Sequence, residues 1–291
     1  MPFLISAFIS KPARETYNMC NACVINDIKD RMLSRRSLFK AAAAGTVTAA
    51  AATFGSAPVA MAQAASSVTD MTHELHEDFP TFFGEQQFFK DQKFNYAEHK
   101  FNLFELRVNE HTGTHVDAPL HFSENGTSVA EIPVGNLVVP LAVIDIREKA
   151  ASNPDAEVTP DDIKAWISKN GDLPENACVA MLSGWQQHLG TDKFRNADGE
   201  GKMHFPGFHV EAAKYLLEES KAAGIAVDTL SLDFGKSPDF ATHYAWLPEN
   251  RWGLEGIANL DKVPVKGATL VVGAPKHRGG TGGPARVFTL A

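Results

Sequence analysis

Residues 111–122 read HTGTHVDAPLHF, placing three histidines and an aspartate within twelve positions. His111, His115 and Asp117 follow the spacing H-x-x-x-H-x-D. On a helix the two histidines would share a face, but Gly113, two threonines, Val116 and Pro119 argue for strand and turn instead. In an extended chain His115 and Asp117 point to one face, and a turn at Gly113 can fold His111 back beside them. Two imidazole nitrogens and one carboxylate oxygen leave coordination positions open for water or substrate, the pattern of a catalytic rather than a structural zinc site. His121 lies four residues beyond Asp117, past Pro119, within reach of the same place without being needed as a ligand. The alternative is a polar loop whose histidines cap backbone groups, which explains one such residue better than this density of them.

The elements that must position these residues are short. Leu103–Val108 (LFELRV) alternates as a strand leading into the cluster, and residues 137–146 (LVVPLAVIDI) read as a buried strand. Thr159-Pro160 caps a helix running to about Lys169. A strand follows over 177–183, then an amphipathic helix over 209–223 with Ala212, Tyr215, Leu216 and Leu217 inward and Gly224 as its stop. Residues 225–227, 230–232 and 268–272 complete a set of short strands. Strands outnumber helices and two helices sit between strands, so the class is mixed α and β.

Ahead of these elements, Ser34-Arg35-Arg36-Ser37-Leu38-Phe39-Lys40 precedes an Ala/Thr/Gly run ending in A-x-A options at Ala60-Met61-Ala62 and Ala62-Gln63-Ala64. That is the layout of a twin-arginine export signal. The run is too short and too poor in Leu and Ile to hold as a membrane span, and an Ala-rich surface helix would not explain the paired arginines before it. Met32 is a natural start, so residues 1–31 read as a misassigned upstream segment, 32–64 as the signal peptide and 65–291 as one folded domain. Cys20 and Cys23 fall in the discarded part, leaving Cys178 as a buried small hydrophobe with no internal disulfide. Residues 1–64 hold seven of the 27 Lys/Arg and three of the 35 Asp/Glu, so the remainder carries a net charge of −12. Such a chain is a poor partner for nucleic acid or an anionic membrane. The expectation is a periplasmic or secreted protein that meets the twin-arginine export machinery.

The segment H-x-G-T-H-x-D-x-P-x-H resembles the signature of the metal-dependent cyclase family, which includes kynurenine formamidases and isatin hydrolases. Further segments are similar: residues 70–75 (DMTHEL), 183–185 (SGW), 205–208 (FPGF), 228–233 (DTLSLD) and 279–286 (GGTGGPAR). The resemblance implies a single-domain α/β fold with a small β-barrel-like sheet flanked by helices, assembled as a homodimer or homotetramer. It implies one or two divalent ions, zinc being the usual metal in the family with manganese among relatives; the His/carboxylate set itself accepts either. It also brings in His243 and Glu255, twelve apart, as second-metal and bridging ligands, with Asp117 bridging too. His121 becomes the proton shuttle, serving a ligated water whose pKa falls to about 7 at zinc. Phe82 falls where relatives carry a Trp or Tyr that lines the pocket, although core packing explains it equally well. Gly279–Gly283 lacks the Lys-Ser/Thr of a phosphate loop and reads as a backbone wall against substrate or a subunit contact. His73, His76, His99, His188, His204, His209 and His277 have no ligand spacing and read as surface or capping residues.

The expected function is therefore hydrolysis of an amide, or cyclic amide or ester, of a small organic molecule. Kynurenine formamidase itself fits less well, because tryptophan breakdown is cytoplasmic and this chain carries an export signal. A lactone hydrolase or cyclising lyase on the same site, and a non-catalytic periplasmic metal- or ligand-binding protein, remain alternatives at this point.

Overall fold

The computed structural model describes residues 67–291. The expected start, signal peptide and cleavage site lie outside those residues. The strands are β1 (Val68–Asp70), β2 (Phe88–Phe94), β3 (Leu103–Val108), β4 (His115–Asp117), β5 (Val138–Asp145), β6 (Glu157–Val158), β7 (Cys178–Leu182), β8 (Gly207–Phe208), β9 (Gly224–Val227), β10 (Trp252–Glu255), β11 (Lys266–Gly273), β12 (Gly282–Pro284) and β13 (Arg286–Leu290). Among the described residues five α-helices accompany them: α1 (Tyr96–His99), α2 (Arg147–Ser152), α3 (Pro160–Asn170), α4 (Val210–Glu219) and α5 (Ala241–Trp246).

Nine strands form one mixed sheet in the order β1-β13-β11-β5-β7-β9-β10-β4-β12, curled into a half-barrel. Its centre, β5-β7-β9-β10, is parallel. Parallel strands are covered on both faces, which is why they read as unbroken apolar runs rather than alternating ones. Along β5, Leu141 and Val143 enter one core with Cys178, Ala180 and Leu254, while Ala142 and Ile144 enter the other with Ile163, Trp166, Ala212 and Leu216. Helices α3 and α4 supply the latter side. The start of α3 is fixed by Asp162, whose carboxylate accepts from the backbone N–H and hydroxyl of Thr159.

Three local expectations change. β3 is a strand, but it pairs with β2 in a separate ribbon and is exposed along its whole length, so its alternation does not mark a half-buried face. Gly224 begins β9 rather than stopping α4, which ends at Glu219 with Ser220 as its C-cap. Gly224 is needed because a Cβ there would collide with the Trp252 ring. Leu230-Ser231-Leu232 is loop rather than strand, and it borders the pocket described below.

Candidate metal centre

The site lies at the carboxyl ends of β9 and β10, the usual place for ligands in open α/β sheets. β4 carries His115 and Asp117 two residues apart, so both side chains leave the sheet on one face. β10 runs antiparallel to β4 with Glu255 directly opposite His115 and Gly253 opposite Asp117. Facing residues of such a pair present their side chains together, and this register alone brings Glu255 to the cluster. Gly253 keeps the space free: a Cβ there would press on Leu232 and on the Asp117 carboxylate. Upstream, Gly113 takes φ +70° and turns the chain so that His111 comes back over β4. His111 Nδ1 then lies 2.7 Å from Asp117 Oδ1.

His243 arrives from α5. Asp233 accepts hydrogen bonds from the backbone N–H groups of Thr242 and His243 at 2.8 and 3.2 Å, which anchors the first turn of that helix. The same carboxylate accepts from His243 Nδ1 at 2.6 Å, leaving Nε2 to face Asp117 Oδ2 at 3.6 Å and Glu255 Oε1 at 3.2 Å. His115 is held in the same sense. Its Nδ1 donates to the Gly113 carbonyl at 2.9 Å, and its Nε2 faces Asp117 Oδ1 at 3.4 Å and Glu255 Oε2 at 3.3 Å. Each histidine thus has one nitrogen committed to an acceptor outside the cluster and one turned inward, the arrangement that fixes tautomer and ring orientation in metal sites.

Two overlapping groups that could hold a metal ion result: His111, His115 and Asp117, and Asp117, His243 and Glu255, with Asp117 common to both. The donor set fits a divalent cation. Among the described residues, His115 Nε2 and Asp117 Oδ2 are buried without a hydrogen-bond partner, a costly state unless something else satisfies them. The electrostatics agree. Burial opposes charge on both histidines, yet the adjacent carboxylates overcome it, raising His115 to about 10 and His243 well above the ordinary imidazole value. Burial likewise works against ionising Asp117, but its histidine neighbours hold it well below the usual carboxylate range. Two buried carboxylates here require compensating positive charge, and an ion supplies it more compactly than protons.

His121 sits in a short 3-10 helix, Pro119–Phe122, with its ring stacked on His111 at a centroid distance of 3.7 Å and 6.1 Å from His243. Burial dominates its titration and, with His111 and His243 nearby, pushes it down to about 4, against the pull of Asp117 and Glu255. Above these groups opens a cavity of about 310 Å³ walled by Phe82, Phe83, Phe122, Phe240 and Leu230. Phe82 and Phe122 each stand 5.7 Å from Phe240, ring to ring. Phe240 takes φ +52°, rare for a bulky residue and a conformation that concentrates at functional sites.

All the residues singled out in the sequence, His111, His115, Asp117, His121, His243, Glu255 and Phe82, border this one place. Phe82 both lines the cavity and packs against the cluster of Trp185, Phe194, Met203 and Phe205, so its two readings coexist. Asp233 was not assigned from sequence, although it lies within the quoted DTLSLD segment; a buried Asp ten residues before His243 was the available signal. The glycine-rich segment is a wall, but behind the candidate metal site: β12 pairs with β4 and places Gly282 opposite Asp117. His277 is not a free surface histidine, since it bonds Glu110.

Comparison with known proteins agrees with the geometry. The Cyclase family model matches residues 69–234. The chain belongs to the cyclase family. It is 36% identical over 194 residues to an isatin hydrolase of Roseibium aggregatum, covering 63% of this chain and 72% of that one. To a kynurenine formamidase of Salinibacter ruber it is 30% identical over 195 residues, 66% of this chain and 81% of that one. The solved structure of isatin hydrolase A from Labrenzia aggregata, bound to benzyl benzoate, superposes with a TM-score of 0.73 at 35% identity, covering 77% of this chain and 93% of that one. This cyclase-family chain is a metal-dependent hydrolase with the family's α/β fold.

Proposed function

We propose that this cyclase-family protein hydrolyses an amide whose nitrogen is borne by an aromatic ring, either a fused cyclic amide or an N-acyl arylamine, in the periplasm. The carrying observation is the convergence of the two ligand groups and His121 at the floor of a cavity walled by phenylalanines. The relatives' names, isatin hydrolase and kynurenine formamidase, support an amide carbonyl beside an aryl nitrogen. Phenylalanine at position 82 supports a flat apolar ring over a substrate that needs a hydrogen-bonding partner at that wall.

His111, His115 and Asp117 would hold one ion and Asp117, His243 and Glu255 a second, a His/carboxylate set that accepts zinc or manganese. A divalent ion bound there supplies carbonyl polarisation and a more acidic water. The chain's own residues do the rest. Phe82, Phe122 and Phe240 flank the substrate ring and exclude bulk water, which strengthens every polar interaction at the floor. His121 is unprotonated near neutral pH, so it acts first as a base, taking the proton that the attacking water gives up. It then returns that proton to the leaving nitrogen, which departs as the amine while the acyl carbon becomes a carboxylate.

The twin-arginine segment at Arg35-Arg36 supports export, and the absence of any possible disulfide in residues 65–291 is consistent with folding before transport. The exposed Leu103, Phe104 and Leu106 of β3 support self-association into a homodimer or a larger homo-oligomer. Among the described residues no helix is long and apolar enough to cross a membrane. The test is turnover of isatin, N-formyl arylamines and aryl lactones by one preparation whose metal content is measured. Hydrolysis of the amides ahead of the lactones is expected; no hydrolysis by fully metallated protein would overturn the reading.

A further inference from the structure

Two of the three histidines find their outer acceptor in an obvious place: Asp233 for His243 and the Gly113 carbonyl for His115. His111 is served differently. Its Nε2 donates to the Thr281 hydroxyl at 2.9 Å. That hydroxyl donates to Glu110 Oε2 at 2.5 Å, and the Thr281 backbone N–H reaches the same oxygen at 3.1 Å. The other carboxylate oxygen accepts from His277 Nε2 at 2.5 Å. The chain His111–Thr281–Glu110–His277 therefore runs from the cluster to the surface, where the His277 side chain is 47% exposed.

The glycine-rich segment is shaped around this chain. A Cβ on Gly280 would collide with the His277 ring, and one on Gly282 would overlap the Val116 carbonyl and crowd His111 Cε1. The Ala118 N–H donates to the Thr281 carbonyl at 2.8 Å, fixing Thr281 beside the metal-ligand strand. These glycines let the segment approach closely enough for the threonine hydroxyl to meet the ring nitrogen.

We propose that Thr281 and Glu110 are positioning residues for His111, holding its Nε2 protonated and turned outward so that Nδ1 faces the ion, and thereby setting metal affinity at the His111–His115–Asp117 group. The inference rests on the reading of His111 as a ligand. The hydroxyl must donate to Glu110 to be free to accept from His111, so the carboxylate fixes the direction of both bonds. Neither residue touches the cavity, and neither takes part in the proton transfer assigned to His121.

Metal-free protein titrated with zinc against a chromophoric chelator tests this. Thr281→Val, which keeps shape and removes the hydroxyl, should weaken zinc binding by about 10–100-fold, the usual cost of losing a partner to a ligating histidine. Thr281→Ser should restore it to near the parent value. Glu110→Ala should weaken binding too, and the Thr281→Val/Glu110→Ala double variant should bind no more weakly than Thr281→Val alone, because both act through one ring. Long-range 1H–15N spectra of His111 should show the Nε2–H tautomer in the parent and in Thr281→Ser, and a tautomer mixture in Thr281→Val. Unchanged affinity in a folded Thr281→Val variant, or costs that add in the double variant, would overturn the proposal. His111→Ala separates the levels: if it leaves zinc affinity intact the ligand reading itself is wrong, whereas loss there with no effect at Thr281 rejects the positioning role alone.

Discussion

The two candidate metal-holding groups share Asp117 but differ in how their outer histidines, His243 and His111, are held. His243, Glu255 and their support Asp233 are almost wholly buried, with the His243 side chain 4% exposed, and their order comes from a helix start and a sheet register. His111 is 20% exposed, sits on a glycine turn, and is steadied by a chain of side chains that ends in solvent. Glu255 is set by the β10–β4 register, and His243 by the Asp233 carboxylate that also anchors the start of α5. His111 is held instead through Thr281 and Glu110 on loop segments, although His115 of the same group is buried on β4 and both groups border the cavity. The lesson is that one carboxylate joins a rigid half to an adjustable one, and each can be perturbed separately.

The largest effect should come from the joint itself. Asp117→Ala removes a ligand common to both groups, so metal content should collapse and hydrolysis fall by about a thousandfold or more, the several kcal/mol that a metal contributes to catalysis. If metal is lost from one group only, Asp117 is not shared. Next, His121→Ala should cost about 10²–10⁴-fold in kcat with metal content intact, as expected for a proton-transfer group. Loss of metal in that variant would instead make His121 a ligand and redraw the adjustable half.

How much of this was legible in the sequence differs between the halves in the same way. His111, His115, Asp117 and His121 are contiguous, and Gly113 and Pro119 announce a turn on either side of a strand, so the local geometry follows from residue types. His243 and Glu255 carry no such signal. Glu255 joins the cluster only because β10 pairs with β4 in one register, a contact across more than a hundred residues that only the family resemblance anticipated. Thr281 and Glu110 were invisible for the same reason: the glycine-rich segment read only as a backbone wall, and its partners Glu110 and His111 lie in a loop some 170 residues earlier. The parallel strands were legible as apolar runs and β3 as a strand, whereas its exposure was not legible, because alternation records side-chain type and not what covers it.

Smaller effects refine the comparison. Asp233→Ala should lower zinc affinity by about 10–100-fold through His243, and should also lower the melting temperature, because the same carboxylate anchors α5. Thr281→Val should change affinity with little change in melting temperature; equal destabilisation by both would erase the contrast between a rigid and an adjustable half. Smallest of all, Phe82→Ala should raise KM for an aromatic amide by about tenfold or less, in line with the ~0.5–1.5 kcal/mol of an aromatic contact, leaving kcat and metal content unaltered. A fall in kcat without a change in KM would place Phe82 in the core and not at the substrate.

The most direct single measurement is an anomalous difference map from a crystal of the zinc-loaded protein, recorded at the zinc edge. The account predicts density within bonding distance of Asp117, flanked by His111 Nδ1 and His115 Nε2 on one side and by His243 Nε2 and Glu255 on the other. Density elsewhere, or none at Asp117 in a protein that carries zinc, would contradict it.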